Sequence, residues 1–337
     1  MKKIITLAFT AASLMASSLV QDAQNAGLKA IPQSQTALLK LIDNPKNPIT
    51  KEKVSLGEKL YFDPRLSRSG LISCNTCHNL SEGGDDGVGP ATGHMWRHNP
   101  HHLNSPTVYN AVFFGSQFWD GRAKDLEAQA QGPALAHPEM AATKEHIVNV
   151  VKSIPEYVKE FKEAYGENVK ITFEKVTDTI ANFERTLVTP SAFDSFMNGY
   201  KEAMTPKQKE GLKTFIQVGC ASCHNGVALG GEMGAFNVTA KYKYMNTGDF
   251  KGDKNGMVKV PTLRNITQTA PYFHNGMIWN LKDAIKEMGR IQLGTKISDK
   301  QAESIEAFLG ALDGKKPHML MPMLPASTPK TPKPNLN

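Results

Sequence analysis

Cys74-Asn75-Thr76-Cys77-His78 and Cys220-Ala221-Ser222-Cys223-His224 both follow the pattern Cys-x-x-Cys-His, and together they contain all four cysteines of the 337-residue chain. In c-type cytochromes the two thiols of this pattern form thioether bonds to a haem, and the His binds the iron. Zinc ribbons and redox dithiols also use Cys-x-x-Cys pairs, but neither requires a His directly after both pairs. The two pentads therefore predict two covalently bound haems.

The N-terminus has the pattern of a secretory signal. Lys2 and Lys3 precede an apolar run over residues 4–16, and small residues follow at positions 16–18. This order predicts a signal peptide over residues 1–20 and export to the periplasm, where bacteria attach haem covalently. The alternative is an uncleaved anchor. Because a membrane-spanning helix needs about 20 apolar residues, no stable membrane span is expected.

The remaining length, about 315 residues, suffices for two domains. The net charge is +7 and becomes +5 without Lys2 and Lys3. No dense Lys/Arg run with interleaved aromatic residues is present in the sequence, so nucleic-acid binding is not expected. A mildly basic surface suits a small acidic redox partner.

A helix pattern precedes each pentad. Thr205, Pro206 and Gln208 form a helix start, and the apolar face that follows runs towards Cys220. Thr50 can cap a comparable helix before the first pentad. Gly57 in the helix before the first pentad corresponds weakly in position to Gly211 in the helix before the second.

Each half of the sequence also ends in an amphipathic helix pattern. Val176, Ile180, Phe183 and Leu187 share one face of the first, and Ser298 with Gln301 opens the second. Strand signals are few and short. The predicted fold is mainly α, with two cytochrome c-like domains that each bind one haem. The predicted divisions are the signal peptide (1–20), an N-terminal domain (21–190), a C-terminal domain (191–316) and a Pro-rich tail (317–337).

Four further blocks, two in each half, carry a family resemblance. The first half contains Asn104-Ser105-Pro106-Thr107 and Phe118-Trp119-Asp120-Gly121-Arg122-Ala123, and the second contains Pro261-Thr262-Leu263-Arg264-Asn265 and Pro271-Tyr272-Phe273-His274-Asn275-Gly276. Together with the two pentads, the chain resembles the bacterial dihaem cytochrome c peroxidases over roughly residues 40 to 325. The resemblance implies reduction of hydrogen peroxide to water with electrons from a small c-type cytochrome or a cupredoxin.

The resemblance also implies iron ligands for two unequal haems. His78 would be the proximal ligand of the peroxidatic haem, and His94 would cap that iron at rest. His224 and Met288 would bind the electron-accepting haem. A His/Met ligand pair raises the reduction potential of a haem. From spacing alone, a core residue of a helix is the favoured interpretation of Met288, and the family resemblance reverses this preference.

Further roles follow from the same resemblance. Glu139 matches a carboxylate that relays a proton during cleavage of the peroxide bond, and Gln129 matches its polar neighbour. Trp119 matches a residue between the two haems, where it could pack the interface or assist electron passage. A calcium ion is implied between the domains, held by Asn104 and by the main chain of Thr269 and Pro271.

Two other functions are compatible with two haem pentads. The first is a dihaem electron-transfer protein without catalysis, whose two haems would not react with peroxide. The second is a relative of the methylamine dehydrogenase maturation enzymes, which oxidise side chains of another protein. Those enzymes carry Tyr where the peroxidases carry Met, so Met288 argues against that function. Family members are often dimers, and a homodimer is expected here.

Overall fold

The computed structural model describes residues 18–318 and 321–336, and this part of the chain is mainly helical. Residues 18–25 form a first helical turn and are followed by α1 (Gln35–Ile42), α2 (Lys51–Phe62), α3 (Cys74–Cys77), α4 (Leu126–Leu135), α5 (Lys144–Ser153), α6 (Pro155–Tyr165), α7 (Phe173–Glu184), α8 (Ala192–Met197), α9 (Pro206–Val218), α10 (Leu281–Gln292) and α11 (Asp299–Gly310).

Shorter elements lie in the loops between these helices. Three-residue 3₁₀ helices span Pro64–Leu66, His94–Trp96, Ala111–Phe113, Lys201–Ala203, Cys220–Ser222 and Ile266–Gln268. Strands β1 (Met233–Ala235) and β2 (Met257–Lys259) pair in antiparallel fashion, with Met233 opposite Lys259. The prediction of a mainly α chain with few, short strands is confirmed for the described residues.

The helix starts predicted from capping residues are confirmed. The side chain of Thr50 accepts a hydrogen bond from the backbone N–H of Lys53 at the start of α2. Thr205 with Gln208, and Ser298 with Gln301, form capping boxes at the starts of α9 and α11. A side-chain cap satisfies backbone N–H groups that have no partner inside the helix. These residues therefore fix where the helices begin.

A glycine in each of two helix pairs lets the helices cross closely. A Cβ added to Gly57 in α2 would overlap the carbonyl oxygen of Thr179 and lie 2.8 Å from Cβ of Phe183, both in α7. A Cβ on Gly211 in α9 would overlap the carbonyl of Ser304 and lie 2.8 Å from Cβ of Phe308, both in α11. The weak correspondence between Gly57 and Gly211 thus reflects the same close helix crossing in both halves.

The apolar residues form two main cores, one around each helix pair. The first includes buried side chains of α2, α5, α6 and α7, namely Leu56, Leu60, Tyr61, Val150, Tyr157, Phe161, Val176 and Phe183. The second includes buried side chains of α8, α9 and α11, namely Phe193, Phe196, Leu212, Phe215, Ile305, Phe308 and Leu309. The chain therefore has one hydrophobic core for each pentad.

The two halves join at Thr189. The side-chain amides of Asn110 and Asn265 donate to the Thr189 hydroxyl at 2.8 and 2.9 Å. Both asparagines are buried and have left-handed backbone conformations, with φ of 62° and 60°. Asn tolerates this conformation better than most residues. Equivalent asparagines of the two halves thus meet at one hydroxyl.

Both ends of the described chain pack on the distant half of the protein. Ala23 and Leu28 belong to the second core, and the backbone N–H of Ile31 donates to Asp194 at 2.7 Å. The sequence analysis had grouped this segment with the first domain. Such a short segment has no periodic pattern to indicate where it docks.

The Pro-rich tail at the C-terminus packs on the first half of the protein. Leu324 packs against the first core, the Arg65 side chain donates to the Pro325 carbonyl at 2.8 Å, and the Asn335 N–H donates to the Arg68 carbonyl at 2.8 Å. No helix occurs in residues 321–336, as the sequence predicts. The two ends thus tie the halves together.

Most of the predicted signal peptide, residues 1–17, lies outside the described residues. Within residues 18–318 and 321–336, no helix is both long and apolar enough to cross a bilayer.

The glycine crossing gives a stability prediction. Gly211→Ala forces α9 away from α11, because the new methyl group overlaps the Ser304 carbonyl. We expect a loss of about 1–3 kcal/mol in the free energy of unfolding of the haem-loaded protein, measured by urea denaturation. The control is Gly310→Ala, where an added Cβ meets nothing within 4 Å. Equal stability of the two variants would contradict the role of the crossing.

Candidate functional site

Both pentads form short helical turns, and two neighbouring cavities beside each turn are lined by its two cysteines and its histidine. The first is α3, where the N–H of Ser73 donates to the Thr76 hydroxyl at 3.0 Å. The second is the 3₁₀ helix that follows Gly219, whose left-handed backbone (φ 98°) ends α9. All four cysteines are free thiols. Each pair is therefore available for covalent attachment.

A backbone carbonyl orients each pentad histidine. Nδ1 of His78 lies 2.9 Å from the Pro106 carbonyl, and Nδ1 of His224 lies 3.2 Å from the Leu229 carbonyl. A carbonyl can only accept, so Nδ1 carries the proton and Nε2 keeps its lone pair. This is the usual arrangement of a metal-binding histidine. Burial lowers the pKa of both rings, that of His224 to about 4.

Equivalent threonines brace the segments behind the two histidines. The hydroxyl of Thr107 donates to the Gly83 carbonyl at 2.7 Å and accepts from the Tyr109 N–H. The hydroxyl of Thr262 donates to the Ala228 carbonyl at 2.5 Å and accepts from the Arg264 N–H. The two Pro-Thr segments quoted in the sequence analysis thus have one structural role in both halves.

The first pentad lies beside a cavity whose wall contains polar and charged side chains. This cavity encloses about 950 Å³ of empty space, its open mouth included, and Cys77 and His78 contribute to its wall. An adjoining cavity includes Cys74. The polar and charged side chains in the wall of the first cavity include Gln129, Glu139, Glu184, Arg122 and Lys259.

The second pentad opens into a more apolar cavity. Cys220, His224 and Met288 lie in its wall, and it encloses about 1090 Å³ of empty space with its mouth. Its other walls include Phe215, Leu281, Ile285, Ile305 and Leu309. Met288 lies on α10, as the sequence predicts, and shares the cavity with His224.

Trp119 lies in the wall that both cavities share. Its indole N–H donates to the Asn104 carbonyl at 2.9 Å, and its own carbonyl accepts from the Lys259 N–H at 2.8 Å. It contributes to the wall of the first cavity and of the second cavity. It also lines a neighbouring cavity that includes Cys223 and His224. The segment from Asn104 to Thr107 also lines both sides.

The residues of both cavities suit a covalently bound haem. The cavities beside each pentad together offer two free thiols and an imidazole whose Nε2 is left available. Iron accepts imidazole and thioether ligands, and Met288 adds a thioether only on the second side.

Gln129 and Glu139 come together beside the first pentad. Gln129 lies on α4, and Glu139 lies in the turn after it, where its N–H donates to the Ala136 carbonyl at 3.0 Å. Both line the first cavity and the adjoining one. Burial raises the pKa of the Glu139 carboxyl, and the nearby Arg122 and His101 oppose the rise.

His94 is not brought into the first cavity. Its buried ring packs against the ring of His137 at 5.8 Å between centroids, and its Nδ1 has no recorded partner. Gly93, directly before it, does line the cavity. Met95 and Trp96, directly after it, have positive φ values of 59° and 57°. Such values are costly for these residues, so this loop stores strain.

The predicted calcium residues meet at the junction of the halves. The Asn104 side-chain amide donates to the Pro271 carbonyl at 2.7 Å, and its buried Oδ1 has no recorded partner. Pro271 and Thr269 both line the second cavity beside Asn104. An unpartnered amide oxygen beside main-chain carbonyls has the ligand chemistry of calcium. Among the described residues, no cluster of three His, Cys, Asp or Glu side chains could hold a metal.

Two buried charged residues in the wall of the first cavity were not predicted as site residues from the sequence. Glu184 ends α7 and is 4% exposed, and Lys259 ends β2 and is 3% exposed. Glu184 follows Val176 and Ile180 on the apolar face of α7, a position where an apolar side chain is expected. Lys259 stands between Val258 and Val260. For both residues, a charged side chain within an apolar pattern is the sequence signal that could have indicated a buried charge.

Comparison with known proteins agrees with this geometry. A model of the di-haem cytochrome c peroxidase family matches residues 51–202. Cytochrome c551 peroxidase from Pseudomonas aeruginosa is 44% identical over 94% of this chain and 92% of that protein. The protein of the same name from Nitrosomonas europaea is 44% identical over 85% of this chain and 87% of its own length.

Solved structures share the fold. A MauG-like protein associated with microbial copper homeostasis superposes with a TM-score of 0.70 and 24% identity, over 81% of this chain and 93% of that one. The diheme peroxidase BthA from Burkholderia thailandensis gives a TM-score of 0.59 and 17% identity, over 81% and 87% of the two chains. The helical arrangement of this chain is therefore shared with these structures at low sequence identity.

The buried Glu184 gives a prediction for stability against pH. Burial raises the pKa of its carboxyl to about 8, and the nearby Glu127 adds to the rise. A carboxyl whose pKa is raised on folding stabilises the protein at low pH, and this stability is lost as the pH rises towards 8. Glu184→Gln removes the titrating group. Relative to wild type, we expect the variant to gain up to about 3 kcal/mol in unfolding free energy between pH 6 and pH 9.

Urea denaturation of the haem-loaded proteins at both pH values measures this gain. Glu145→Gln, an exposed position at the start of α5, should leave the pH difference as in wild type. If Glu184→Gln and wild type lose stability in parallel from pH 6 to pH 9, Glu184 is ionised in the folded protein throughout.

Proposed function

This chain belongs to the di-haem cytochrome c peroxidase family and is a cytochrome c peroxidase, and we propose that its two haem sites divide the reaction between them. The first site, around His78, would carry the reaction with hydrogen peroxide. The second, around His224, would hold an electron delivered by the donor. The haem of each site supplies, when bound, an iron that exchanges electrons.

The observation that carries the proposal is the unequal lining of the two cavities. Gln129, Glu139 and Arg122 give the first cavity groups that bind a polar substrate and move protons. The second cavity has apolar walls and the Met288 thioether. His224 and Met288 would hold the second haem, where a thioether ligand favours the reduced state of the iron. Each cavity thus suits one of the two tasks.

Glu139 and Gln129 would act on the peroxide directly. Reduction of one peroxide to two waters takes two electrons and two protons, and the O–O bond breaks when one oxygen gives up its proton and the other gains one. The Glu139 carboxylate would accept the first proton and return it to the departing oxygen. The Gln129 amide would donate a hydrogen bond that holds the peroxide. Burial, which raises the Glu139 pKa, suits a group that both accepts and donates.

His94 would control access to the first site. We infer that its ring enters the cavity in a resting state and occupies the position beside His137 in the open state. The strained residues Met95 and Trp96 support this, since a loop that stores strain can favour a second conformation. Gly93 would act as the hinge, because it packs against the Pro138 and Glu139 backbone where a side chain has no space.

The second site would receive electrons from a small donor protein. Cys223 and Ser222 are exposed, so this site reaches the protein surface beside its pentad. A cytochrome c or a cupredoxin with an acidic face would suit the net positive charge of the chain. Trp119, in the shared wall, would pack between the two haems. Its indole orientation is fixed by the Asn104 carbonyl.

The cellular setting follows the same family pattern. Residues 1–20 would direct the chain to the periplasm, where the haems are attached, and the mature protein would be a homodimer. A calcium ion bound by Asn104, Thr269 and Pro271 would stabilise the junction of the halves. The unpartnered Asn104 oxygen supports this ion site.

Removal of the Glu139 carboxylate tests the proton relay. Glu139→Gln keeps the size and polarity of the side chain but can no longer accept a proton. We expect peroxide turnover with a reduced cytochrome c to fall on the order of 100-fold or more, because positioned proton transfer contributes that much. The haem content, measured by absorbance, should stay at two per chain.

The matched control is Glu156→Gln on the exposed side of α6, whose side chain is 55% exposed. This variant should turn over peroxide at the wild-type rate. Full activity of Glu139→Gln with both haems attached would remove Glu139 from the mechanism.

Met288 gives a second test. Met288→Leu removes the thioether but keeps an apolar side chain of similar size. We expect the reduction potential of the second haem to fall and that of the first haem to stay unchanged. A redox titration followed by visible absorbance measures both potentials. Met245→Leu, at an exposed methionine, is the control. If Met288→Leu leaves both potentials at their wild-type values, Met288 does not bind the second iron.

A further inference from the structure

Lys259 is a buried cation without a recorded partner. Its side chain is 3% exposed, although lysine is among the residues that are least often buried. Among the described residues, its ammonium group forms no ion pair with a carboxylate, and the one carboxylate that raises its pKa is that of Asp120. The ammonium lies 4.5 Å from the centroid of the Phe114 ring. A cation–π contact of this kind offsets only part of the cost of burying a charge.

The side chain of Lys259 lies where the two haem sites meet. It lines the first cavity together with His78 and lines both cavities beside His224. Its backbone N–H donates to the Trp119 carbonyl at 2.8 Å, and it ends β2 opposite Met233. The position of the residue is therefore fixed by the main chain, and its side chain extends along the wall between the two sites.

The nearby acidic residues do not neutralise Lys259. Asp120 is the carboxylate that raises the pKa of Lys259. Asp120 already pairs with Arg122 at 2.8 Å. In the first cavity, the charges of Arg122 and His101 lower the pKa of Glu139. The pKa of Glu184 is raised by Glu127 and lowered by Arg185. Without an anion, burial lowers the pKa of Lys259 to about 7. The described residues thus leave a buried positive charge without a carboxylate of its own.

We propose that Lys259 forms an ion pair with a propionate carboxylate of a haem bound at the wall between the two sites. The inference rests on the proposed loading of both sites with haem. Each haem brings two carboxylates into a cavity whose wall contains this cation. Lys259 is then a positioning residue: it holds a haem edge beside Trp119, and its charge favours the reduced state of the haem. A buried pair of this kind is strong only when its geometry is fixed, as the backbone contact to Trp119 provides.

Two substitutions separate the charge from the size of the side chain. Lys259→Met keeps an unbranched chain of similar length and removes the charge, whereas Lys259→Arg keeps the charge. The potentials of both haems are measured by redox titration of the loaded proteins. We expect Lys259→Met to lower the potential of at least one haem, and Lys259→Arg to retain most of the wild-type value. Unchanged potentials in Lys259→Met, or an equal fall in both variants, would overturn the proposal.

A second measurement does not depend on the variants. In a crystal structure of the wild-type protein with both haems attached, we expect Nζ of Lys259 within about 3 Å of a propionate oxygen. A structure in which every propionate oxygen lies beyond about 4 Å from Nζ would overturn the proposal. Neither readout uses turnover. Lys259 can therefore be tested even in a protein that fails to reduce peroxide, so failure of this inference is distinguishable from failure of the proposed function.

Discussion

The hydrogen bond from Nδ1 of each pentad histidine to a backbone carbonyl is the constraint on which both sites depend. It holds the His78 and His224 rings at the cavity wall with Nε2 available for iron. Thr107 and Thr262 brace the segments behind the two rings. Asn110 and Asn265 then end these segments at the shared Thr189 hydroxyl. Hydrogen bonds and the short backbone segments between them therefore connect each pentad histidine to the junction of the halves.

The two halves repeat one frame and differ in what they place around it. The glycine crossings of α2 with α7 and of α9 with α11 are alike, and so are the pentads that follow α2 and α9. The insertions between these elements differ. In the first half, α4 and the turn after it bring Gln129 and Glu139 to the pentad, whereas in the second half α10 brings Met288. The loops and additional helices thus decide the chemistry, and the repeated frame holds each histidine.

Much of this organisation could be predicted from the sequence. The pentads are short and chemically specific, and the caps at Thr50, Thr205 and Ser298 act through neighbouring backbone groups. Local signals of this kind do not depend on distant contacts. The positions of Glu139, Gln129 and Trp119 followed from the family resemblance and not from periodicity. The cavity walls contain all three residues.

The remaining features depend on contacts between residues far apart in the sequence. Glu184 and Lys259 are buried because elements from other parts of the chain cover them, and the apolar residues around each give only a weak local sign of that. The docking of the two chain ends on opposite cores is equally long-range. The prediction that His94 caps the first iron at rest stays a prediction, and its ring lies beside that of His137 next to the strained residues Met95 and Trp96.

The division of work between the two sites is tested most directly by adding an equimolar amount of hydrogen peroxide to protein in which only the second haem is reduced. Visible absorbance then follows the oxidation state of that haem. The account predicts that the peroxide is consumed and that the second haem becomes oxidised as its electron passes to the first site. If the peroxide persists and the second haem stays reduced, the two sites do not share the reaction in this way.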